Sequence, residues 1–484
     1  MAPAAHQMYI DGQWTDAENG VTFNVINPAH GRGIGRVPDG SAADVRRAID
    51  AADRAFAPWA ALTAKERGRL LHRLQARLEA ETDAIARLIM QENGKPLEEA
   101  KKELSFAVGY FGWFAEEARR VSGEWVPSPM SGKRLLVLRQ PVGPVAAITP
   151  WNFPATMVTR KIAPALAAGC TVVLKPASAT PLTALAIAQA CHDVGLPPGV
   201  FNVVTTYRAS VAATEFLSDR RIRKIGFTGS TEVGQWIMER AAKQLKRLSF
   251  ELGGNAPFIV FDDADFEAAV EGAVAIKFLR VGGQSCICAN RIYVQRSLAE
   301  RFTTAFTAAV ERLRVAPGDQ PGAQIGPLIN EETRKKVHGL VEDARGRGAR
   351  VLTGGHVLAN DAYREGFFYA PTVLVDVTDD MPVCQEEIFG PVAPILTFDT
   401  EEEVLRRAND TTFGLAAYFY SRDLARVVRV SEGLEYGLVG ANDAAGYTHE
   451  IPFGGFKESG LGREGGHQGI EEYTEAKSVV VGLG

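Results

Sequence analysis

Apolar positions along the chain change from helical spacing in the first part to alternating strands and helices further on. Apolar residues recur at three- and four-residue intervals and predict three helices, at residues 43–56, 64–92 and 97–121. Ser41 is a good N-cap for the first helix, and the Asn-Gly-Lys-Pro sequence at 93–96 ends the second. Residues 8–40 combine short apolar runs with turn signals, which predicts short strands before the helices.

The stretch 124–142 interrupts this pattern with two extended pieces around a bend of serine, proline and glycine. We expect a small β-ribbon here. It could be an arm that packs on another subunit or an ordinary surface hairpin, and the residues leave both open.

From residue 144 to residue 252, apolar strands alternate regularly with helices. The predicted strands are 145–148, 171–174, 200–204, 224–227 and 247–250, and the helices between them are 155–168, 183–194, 210–217 and 232–243. A second run of this type has strands at 257–261, 291–294, 392–398, 418–420 and 438–441, with helices at 265–280, 299–313 and 331–347, and a last strand at 477–481. Apolar strands that alternate with helices predict parallel sheets covered on both faces, an α/β fold.

Length and composition limit the class of protein. A chain of 484 residues is too long for a single core, so two or three domains are expected. The net charge of -5, without a strong basic cluster, argues against nucleic acid and for a small-molecule substrate or a protein partner. The polar N-terminus and the lack of a long uncharged apolar run argue against a signal peptide and a membrane span.

The five cysteines point to a reducing compartment, and we therefore expect a cytoplasmic protein. Their spacing is irregular and their number is odd, which argues against a disulfide framework. Cys286 and Cys288 have no second cysteine pair or histidine beside them, so no metal site is expected.

Four predicted strand ends carry groups that suit a ligand site, since parallel sheets bind ligands at the carboxyl ends of their strands. Asn152, with two amide N–H donors, follows the first strand, and Lys175 closes the second. A glycine-containing turn at 228–231 follows the fourth strand and opens a helix whose N–H groups can hold a pyrophosphate. Glu251 follows the fifth strand, so one sheet edge presents an amide, an ammonium, an anion-binding turn and a carboxylate.

Cys286 lies in a loop of small residues some thirty positions after Glu251, and the two suit covalent catalysis by a thiolate with a base for hydrolysis. A cysteine hydrolase would need a histidine partner, and none of the eight histidines lies in a suitable strand-end loop. A non-catalytic binding protein on the same fold would be expected to lack Cys286, Glu251 or Asn152, whereas all three are present.

Seven segments resemble the motifs of the aldehyde dehydrogenase superfamily, in family order and with family spacing over nearly the whole chain. They are residues 150–154, 175–176, 227–231, 251–254, 283–286, 386–391 and 452–455. Within the superfamily, the chain most resembles the succinate-semialdehyde dehydrogenase branch, on residues 251–265, 286–291 and 459–465.

The resemblance implies an aldehyde dehydrogenase-like α/β fold of two doubly wound parallel-sheet domains plus a small β oligomerisation flap. It divides the chain into a cofactor-binding, Rossmann-like domain (1–123 and 143–251), a catalytic domain (252–469) and the flap (124–142 and 470–484). It also implies a homodimer or homotetramer.

The implied activity is NAD(P)-dependent oxidation of an aldehyde to a carboxylic acid through a thiohemiacetal and a thioester on Cys286. Asn152 and the Cys286 backbone N–H would hold the oxyanion, and Glu251 would activate the hydrolytic water. Succinate semialdehyde is the implied substrate, and a longer ω-carboxy semialdehyde or an aromatic or aliphatic aldehyde is the alternative.

The cofactor residues implied by the resemblance are Trp151, Lys175, Ser178, Gly229, Ser230, Gly234, Glu387 and Phe389. Lys175 and Glu387 would hold the two riboses, Phe389 would flank the nicotinamide ribose, and the glycine turn would shape the pyrophosphate site. Ser178 stands where NAD-selective members often carry a glutamate that repels a 2′-phosphate. The cofactor is therefore expected to be NADP or NAD, with NADP accepted.

The substrate residues implied by the resemblance are Arg160, Arg280, Tyr447 and Thr448. The two arginines match those that bind the distal carboxylate in the succinate-semialdehyde branch, and the alternative is two helix-surface arginines. Tyr447 and Thr448 stand where that branch has a serine, a departure that admits a longer or aromatic aldehyde. Oxidation of Cys288 with Cys286 could switch activity off reversibly, or Cys288 could have no redox role.

Overall fold

Two large sheets of mostly parallel strands form the centre of the molecule. The computed structural model describes residues 4–361, 363–444 and 446–483. In chain order its strands are β1 (Ala4–Ala5), β2 (Met8–Ile10), β3 (Gln13–Thr15), β4 (Thr22–Ile26), β5 (Gly33–Pro38), β6 (Glu124–Val126), β7 (Lys133–Pro141), β8 (Val145–Ile148), β9 (Val172–Lys175), β10 (Phe201–Val203), β11 (Lys224–Thr228), β12 (Arg247–Glu251), β13 (Ala256–Val260), β14 (Ala289–Gln295), β15 (Arg350–Thr353), β16 (Thr372–Val375), β17 (Val392–Phe398), β18 (Ala416–Tyr420), β19 (Leu438–Ala441), β20 (Gly460–Leu461) and β21 (Thr474–Gly482).

Helices cover both faces of these sheets. In chain order they are α1 (Ala42–Ala60), α2 (Ala64–Glu79), α3 (Thr82–Asn93), α4 (Leu97–Glu117), α5 (Thr156–Ala168), α6 (Leu182–Asp193), α7 (Ala209–Ser218), α8 (Thr231–Ala241), α9 (Phe266–Phe278), α10 (Ala299–Glu311), α11 (Glu331–Gly346), α12 (Pro382–Gln385), α13 (Glu401–Asn409), α14 (Leu424–Gly433) and α15 (Gln468–Glu471). In the described part of the chain, none of them combines the length and apolarity that a bilayer crossing requires.

The first large sheet has the strand order β20-β12-β11-β8-β9-β10-β2-β3. Its five central strands are parallel, and β20, β2 and β3 pair antiparallel at the two edges. Alternate residues of β8 enter different cores, because successive side chains of a strand point to opposite faces. Val145 and Ala147 pack with α2 to α6, and Ala146 and Ile148 pack with α1, α7 and α8. This arrangement confirms the predicted doubly wound sheet.

The second large sheet has the strand order β15-β16-β17-β14-β13-β18-β19, in which only β15 is antiparallel to its neighbour. Its central strand β13 is buried along its whole length. Phe258 faces the core with α9 and α10, and Ile259 faces the core with α11, α13 and α14. The two sheets together confirm the α/β fold class predicted from the alternation of strands and helices.

A separate antiparallel sheet of order β21-β7-β6 forms the predicted ribbon. β7 and β21 pair over nine residues and join the stretch after the first helices to the end of the described chain. Trp125 is 66% exposed and Val480 is 57% exposed on this sheet. The division into domains and the oligomeric role of the ribbon remain predictions. A further small sheet, β1-β5-β4, lies near the N-terminus.

The helix predicted at 64–92 is wrong in one respect, because the chain breaks it into α2 and α3 at Ala80 and Glu81. The Thr82 hydroxyl donates to the Glu79 carbonyl at 2.8 Å and fixes the turn. Neither glycine nor proline marks this break. The predicted end of α9 at 280 is also late, since the helix stops at Phe278.

Candidate active site

The strand ends expected to carry ligand groups meet at one edge of the first sheet. Ile148 at the end of β8 is in register with Lys175 of β9 and with Phe227 of β11, and Thr228 is in register with Glu251 of β12. Asn152 lies in the loop that follows β8. The structure therefore brings the predicted amide, ammonium, glycine turn and carboxylate to one edge.

The loop that carries Cys286 joins α9 to β14 and packs on the turn after Glu251. Its backbone is left-handed at Val281, Gly282 and Gly283, with φ of 49°, 58° and 79°. A Cβ atom on Gly254 would overlap the Cys286 carbonyl oxygen, so only glycine allows this approach. Gly254 thus lets the cysteine loop reach the end of the first sheet.

Asn152 ties the loop after β8 to the cysteine loop. Its side-chain Nδ2 donates to the Gln284 carbonyl at 3.1 Å. The residue is buried, and among the described residues its Oδ1 has no hydrogen-bond partner. The side-chain amide of Asn152 is therefore bonded to a residue two positions before Cys286 and is buried from solvent.

The surroundings of Cys286 favour the thiol over the thiolate. Burial raises the pKa of the thiol far above its usual range, and Glu251 and Glu387 raise it further. Arg160 and Arg280 act in the opposite direction but are outweighed. A reaction that uses this sulfur as a nucleophile needs a base for its proton.

Glu251 has the properties of such a base. Burial raises its pKa to about 7, although Arg160 lowers it. One carboxylate oxygen, Oε2, accepts from Arg160 and from the Thr228 hydroxyl, the latter at 3.3 Å. The other, Oε1, has no partner among the described residues. A carboxylate that titrates near neutral pH suits proton transfer at physiological pH.

Two charged residues beside Glu251 were missed from the sequence. Glu464 forms ion pairs with Arg160 Nε and with Lys161 Nζ, each at 2.5 Å. Desolvation opposes ionisation of Glu464, but Lys161 and Arg160 outweigh it and lower its pKa. Two adjacent cations on α5, a helix buried along its whole length, were the signal that a buried anion faces them.

Arg160 is therefore engaged by carboxylates of the protein itself. Its guanidinium is 1% exposed, pairs with Glu251 and Glu464, and lies 4.3 Å from the ring centroid of Phe453. A helix-surface arginine is wrong as an interpretation of this residue. Its predicted contact with a substrate carboxylate remains a prediction, and the ion pairs compete with that contact.

Arg280 and Tyr447 line a cavity of ≈ 260 Å³, together with Phe153, Phe106 and Lys102. Arg280 Nη2 donates to the Tyr447 hydroxyl at 2.7 Å, and Arg280 Nε is buried without an acceptor among the described residues. Thr448 is exposed and hydrogen-bonds Glu450 instead of lining this cavity. Of the four predicted substrate contacts, the cavity thus contains two. The sequence reading missed Lys102 at its wall.

Several residues predicted to bind a dinucleotide lie at the end of β9, after β11 and in α8. Lys175 is buried, and desolvation lowers its pKa to about 8, although the charge of Asp39 acts in the opposite direction. Ser230 is the N-cap of α8 and accepts from the Val233 N–H at 3.5 Å. A side chain on Gly234 would collide with Leu252. Ser178 is half-buried after β9.

Two further predicted cofactor residues, Glu387 and Phe389, lie in the loop between α12 and β17. Glu387 Oε1 accepts from the Gly254 N–H at 3.1 Å, and burial raises the pKa of Glu387 to about 7. Phe389 has a left-handed φ of 57° and meets Trp151 edge to face, with ring centroids 5.4 Å apart. A buried ammonium, a glycine-bordered helix start, a carboxylate and an aromatic pair fit a nicotinamide dinucleotide.

The five cysteines are all free and buried. Among the residues the structure describes, no group of three or more histidine, cysteine, aspartate or glutamate side chains could hold a metal ion.

Comparisons with known proteins agree with this geometry. The chain is 52% identical over 477 residues to the succinate-semialdehyde dehydrogenase [NADP(+)] of Escherichia coli (strain K12), covering 99% of this chain and 98% of the relative. It is 51% identical to the glutarate-semialdehyde dehydrogenase of Pseudomonas putida, covering 99% and 98%. A crystal structure described as an E. coli NADP dependent enzyme superposes with a TM-score of 0.97 at 52% identity, covering 99% and 98%.

The match extends over nearly the whole length of these proteins, which confirms the resemblance inferred from the seven motifs and the aldehyde dehydrogenase-like fold. The model of the family described as "Aldehyde dehydrogenase family" matches residues 14–479, a stretch that includes the parallel strands of both large sheets and the cysteine loop, and the chain therefore belongs to the aldehyde dehydrogenase family.

Proposed function

We propose that the protein oxidises a semialdehyde with a distal carboxylate, succinate semialdehyde above all, to the corresponding dicarboxylic acid with NADP or NAD. The observation that carries the proposal is the approach of the cysteine loop to Glu251 and Asn152, which the Gly254–Cys286 backbone contact and the bond from Asn152 to Gln284 fix.

The first step is attack of the Cys286 sulfur on the aldehyde carbon. Because the pKa of the thiol is raised, the proton must leave as the substrate binds, and the unpartnered Oε1 of Glu251 is the acceptor we assign. The resulting oxyanion takes hydrogen bonds from the Asn152 amide and the Cys286 backbone N–H. One such donor contributes about 3 kcal/mol to the stability of the transition state.

The dinucleotide, when bound, supplies the acceptor for the hydride that leaves the thiohemiacetal carbon, so that a thioester remains on Cys286. The proton that Glu251 took from Cys286 passes to solvent before hydrolysis. Glu251 then takes a proton from water, whose oxygen attacks the thioester carbon, so that the acid is released and the leaving sulfur takes this proton back as the thiol. Its pKa of about 7 leaves a large share of this carboxylate ionised at neutral pH. A residue that activates water argues against a CoA-acylating reaction, because there a thiol accepts the acyl group and no water has to be activated.

For the cofactor we propose that NADP is accepted. Ser178 places no carboxylate beside an adenine-ribose 2′-phosphate, and the Lys175 ammonium lies nearby at the end of β9. Lys175 and Glu387 are assigned to the riboses, Trp151 and Phe389 to the nicotinamide side, and Gly229, Ser230 and Gly234 to the pyrophosphate turn. The names of the E. coli relative and of the superposed structure, which mention NADP, support this proposal.

For the substrate carboxylate we propose Arg280 as the principal ligand. Its guanidinium lines the cavity and keeps one buried N–H unpaired, whereas Arg160 is held by Glu251 and Glu464. A guanidinium suits a carboxylate through two parallel hydrogen bonds. The names of the two relatives support a four-carbon or a five-carbon semialdehyde, and Tyr447 in the cavity leaves a longer or aromatic aldehyde as the second candidate.

We further propose that the ribbon β6, β7 and β21 is an oligomerisation flap of a homodimer or homotetramer. The exposed side chains of Trp125 and Val480 support a protein contact on the ribbon. The edge strand β19 of the second large sheet is only half-buried and is a candidate surface for a contact with another subunit. The two large sheets and the ribbon support the division into cofactor-binding, catalytic and flap segments, except that β20 from the proposed catalytic segment joins the first large sheet. A cytoplasmic location is supported by the five free cysteines.

The test follows nicotinamide reduction by the purified protein with succinate semialdehyde, with Cys286→Ala and Cys288→Ala as a matched pair of variants. We expect turnover in the wild type and in Cys288→Ala, and none in Cys286→Ala. Equal rates in the wild type and Cys286→Ala would reject the proposed chemistry. Loss of activity on mild peroxide treatment in the wild type but not in Cys288→Ala would support a redox role for Cys288, and equal loss would reject it.

A further inference from the structure

A buried lysine holds the loop that carries Asn152. Lys95 follows α3 in the Asn-Gly-Lys-Pro segment, which the sequence identified only as the end of a helix. It is 1% exposed. Its ammonium donates to Glu103 Oε2 at 2.5 Å and to the backbone carbonyl of Asn152 at 2.9 Å, and it lies 4.2 Å from the ring centroid of Phe153.

The partner carboxylate of Lys95 caps the helix that follows the loop. α5 has no side-chain cap of its own. Glu103 on α4 replaces it, because its Oε1 accepts from the Ala155 N–H at 2.9 Å and from the Thr156 N–H at 3.3 Å. Glu103 is 6% exposed and lies in the wall of the cavity that contains Arg280.

A third residue completes the hold on the loop. Asn93 Nδ2 donates to the Trp151 carbonyl at 2.9 Å, and its Oδ1 accepts from the Lys95 N–H at 3.3 Å. Contacts from the α3–α4 turn and from α4 therefore reach Trp151, Asn152 and Phe153 and the first turn of α5. Trp151 contacts Phe389 on the proposed dinucleotide side, Asn152 is the proposed oxyanion donor, and Phe153 lines the substrate cavity.

The location of the Lys95–Glu103 pair argues for more than packing. Burying an ammonium and a carboxylate costs several kcal/mol for each ion, and apolar side chains of similar volume commonly pack as well or better. The contacts of this pair end on backbone atoms of the Asn152 loop. A bond to the carbonyl of Asn152 restricts rotation of its peptide, and the same residue directs its amide toward the cysteine loop.

We propose that Lys95 and Glu103 are positioning residues for the oxyanion donor, which fix the Asn152 loop so that its side-chain amide meets the developing negative charge. The inference rests on the proposed function, since it assigns that charge to the substrate oxygen. Neither residue touches the reacting atoms, so the effect is on the rate of the chemical step rather than on binding.

The first experiment uses the double variant Lys95→Met/Glu103→Gln, which removes both charges and leaves a side-chain carbonyl at position 103 to accept from the helix. We expect kcat to fall about 10- to 100-fold, up to the loss that a misplacement of about 1 Å can cause and less than the loss of about 10²- to 10³-fold on complete removal of an oxyanion donor, with KM for the dinucleotide and the thermal midpoint unchanged. Lys101→Met is the matched control on α4, the helix that carries Glu103. Lys101 pairs at the surface with Asp83 and Glu98 at 3.3 and 3.4 Å. It should leave kcat unchanged.

The second experiment repeats the comparison in an Asn152→Ala background, with single-turnover nicotinamide reduction as the readout. If the pair acts through the Asn152 amide, the double variant costs no more than about twofold there, because the two effects are not additive. The same fold loss in both backgrounds, or a folded double variant with wild-type kcat, overturns the proposal.

Hydrogen exchange tests the positioning without turnover. In the intact double variant we expect faster exchange of the peptide that contains the Ala155 and Thr156 amides and of the cysteine-loop peptide, relative to Lys101→Met. Unchanged protection in both peptides overturns the inference. A wild type that does not reduce the nicotinamide refutes the proposed function, and this measurement still decides whether the pair holds the loop.

Discussion

Replacement of Arg280 by leucine should lower activity toward acidic aldehydes selectively. The guanidinium is buried in the cavity wall, with Nη2 bonded to the Tyr447 hydroxyl and Nε unpaired among the described residues. An ion pair at about 4 Å with an effective dielectric constant of about 20 is worth about 4 kcal/mol before desolvation. Charge-assisted hydrogen bonds contribute about 1.5–3 kcal/mol net. Taking about 2–3 kcal/mol, kcat/KM for succinate semialdehyde should fall about 30- to 150-fold.

The assay compares kcat/KM for succinate semialdehyde and for butanal, its uncharged equivalent in length, at one saturating NADP concentration. In Arg280→Leu, kcat/KM for succinate semialdehyde should fall toward the value for butanal. The value for butanal should change little, because butanal makes no ion pair. Arg160→Leu is the matched comparison and should lower both rates, since it leaves Glu251 and Glu464 buried without their cation. An equal loss for both aldehydes in Arg280→Leu would show that Arg280 supports the fold and does not recognise the carboxylate.

Four further predictions concern the base, its pH dependence, the cofactor and the flap. Glu251→Gln should slow the first nicotinamide reduction as well as turnover, each by about 10²- to 10⁴-fold, because it removes both the acceptor of the thiol proton and the base for water; a wild-type rate in both phases contradicts the assigned base. Because burial raises the pKa of Glu251 to about 7, acidification below pH 7 protonates the base, and a kcat limited by hydrolysis should fall with pH in the wild type but not in Glu251→Gln. Ser178→Glu should shift the NADP/NAD ratio of kcat/KM about 10- to 100-fold toward NAD by charge repulsion, and an unchanged ratio rejects the placement of Ser178. Val480→Asp on the exposed face of the ribbon should lower the molar mass measured by light scattering, and an unchanged mass argues against the flap contact.

The sequence predicted the large sheets well because buried parallel strands are continuous apolar runs with helices between them. It also located the strand-end groups, since chain order and the rule for parallel sheets are enough to bring Asn152, Lys175 and Glu251 to one edge. The break between α2 and α3 was missed because Ala80 and Glu81 favour helix and no glycine or proline marks the turn.

The ion-pair partners at the site could not be predicted in the same way. Glu464 lies 303 residues after Lys161, and nothing in local spacing says that the two meet. That Arg160 is positively charged follows from its chemistry. Which groups its guanidinium contacts depends on the carboxylates that the fold buries beside it. Lys95 was assigned only to a helix end because its partner carboxylate and the Asn152 carbonyl become neighbours only in the folded chain.

The two-residue strand β20 has a consequence for the order of events during synthesis. It pairs with β12 at Phe250 and Glu251, and the adjacent Ser459 hydroxyl donates to the Gly253 carbonyl across 206 residues of chain. At about 5–20 residues per second, a ribosome needs about 10 to 40 s to make that intervening length. The nascent chain therefore carries Cys286 and Glu251 well before β20 emerges to pair with Glu251, and a protein shortened before residue 459 would keep both residues but leave this edge of β12 without its partner strand.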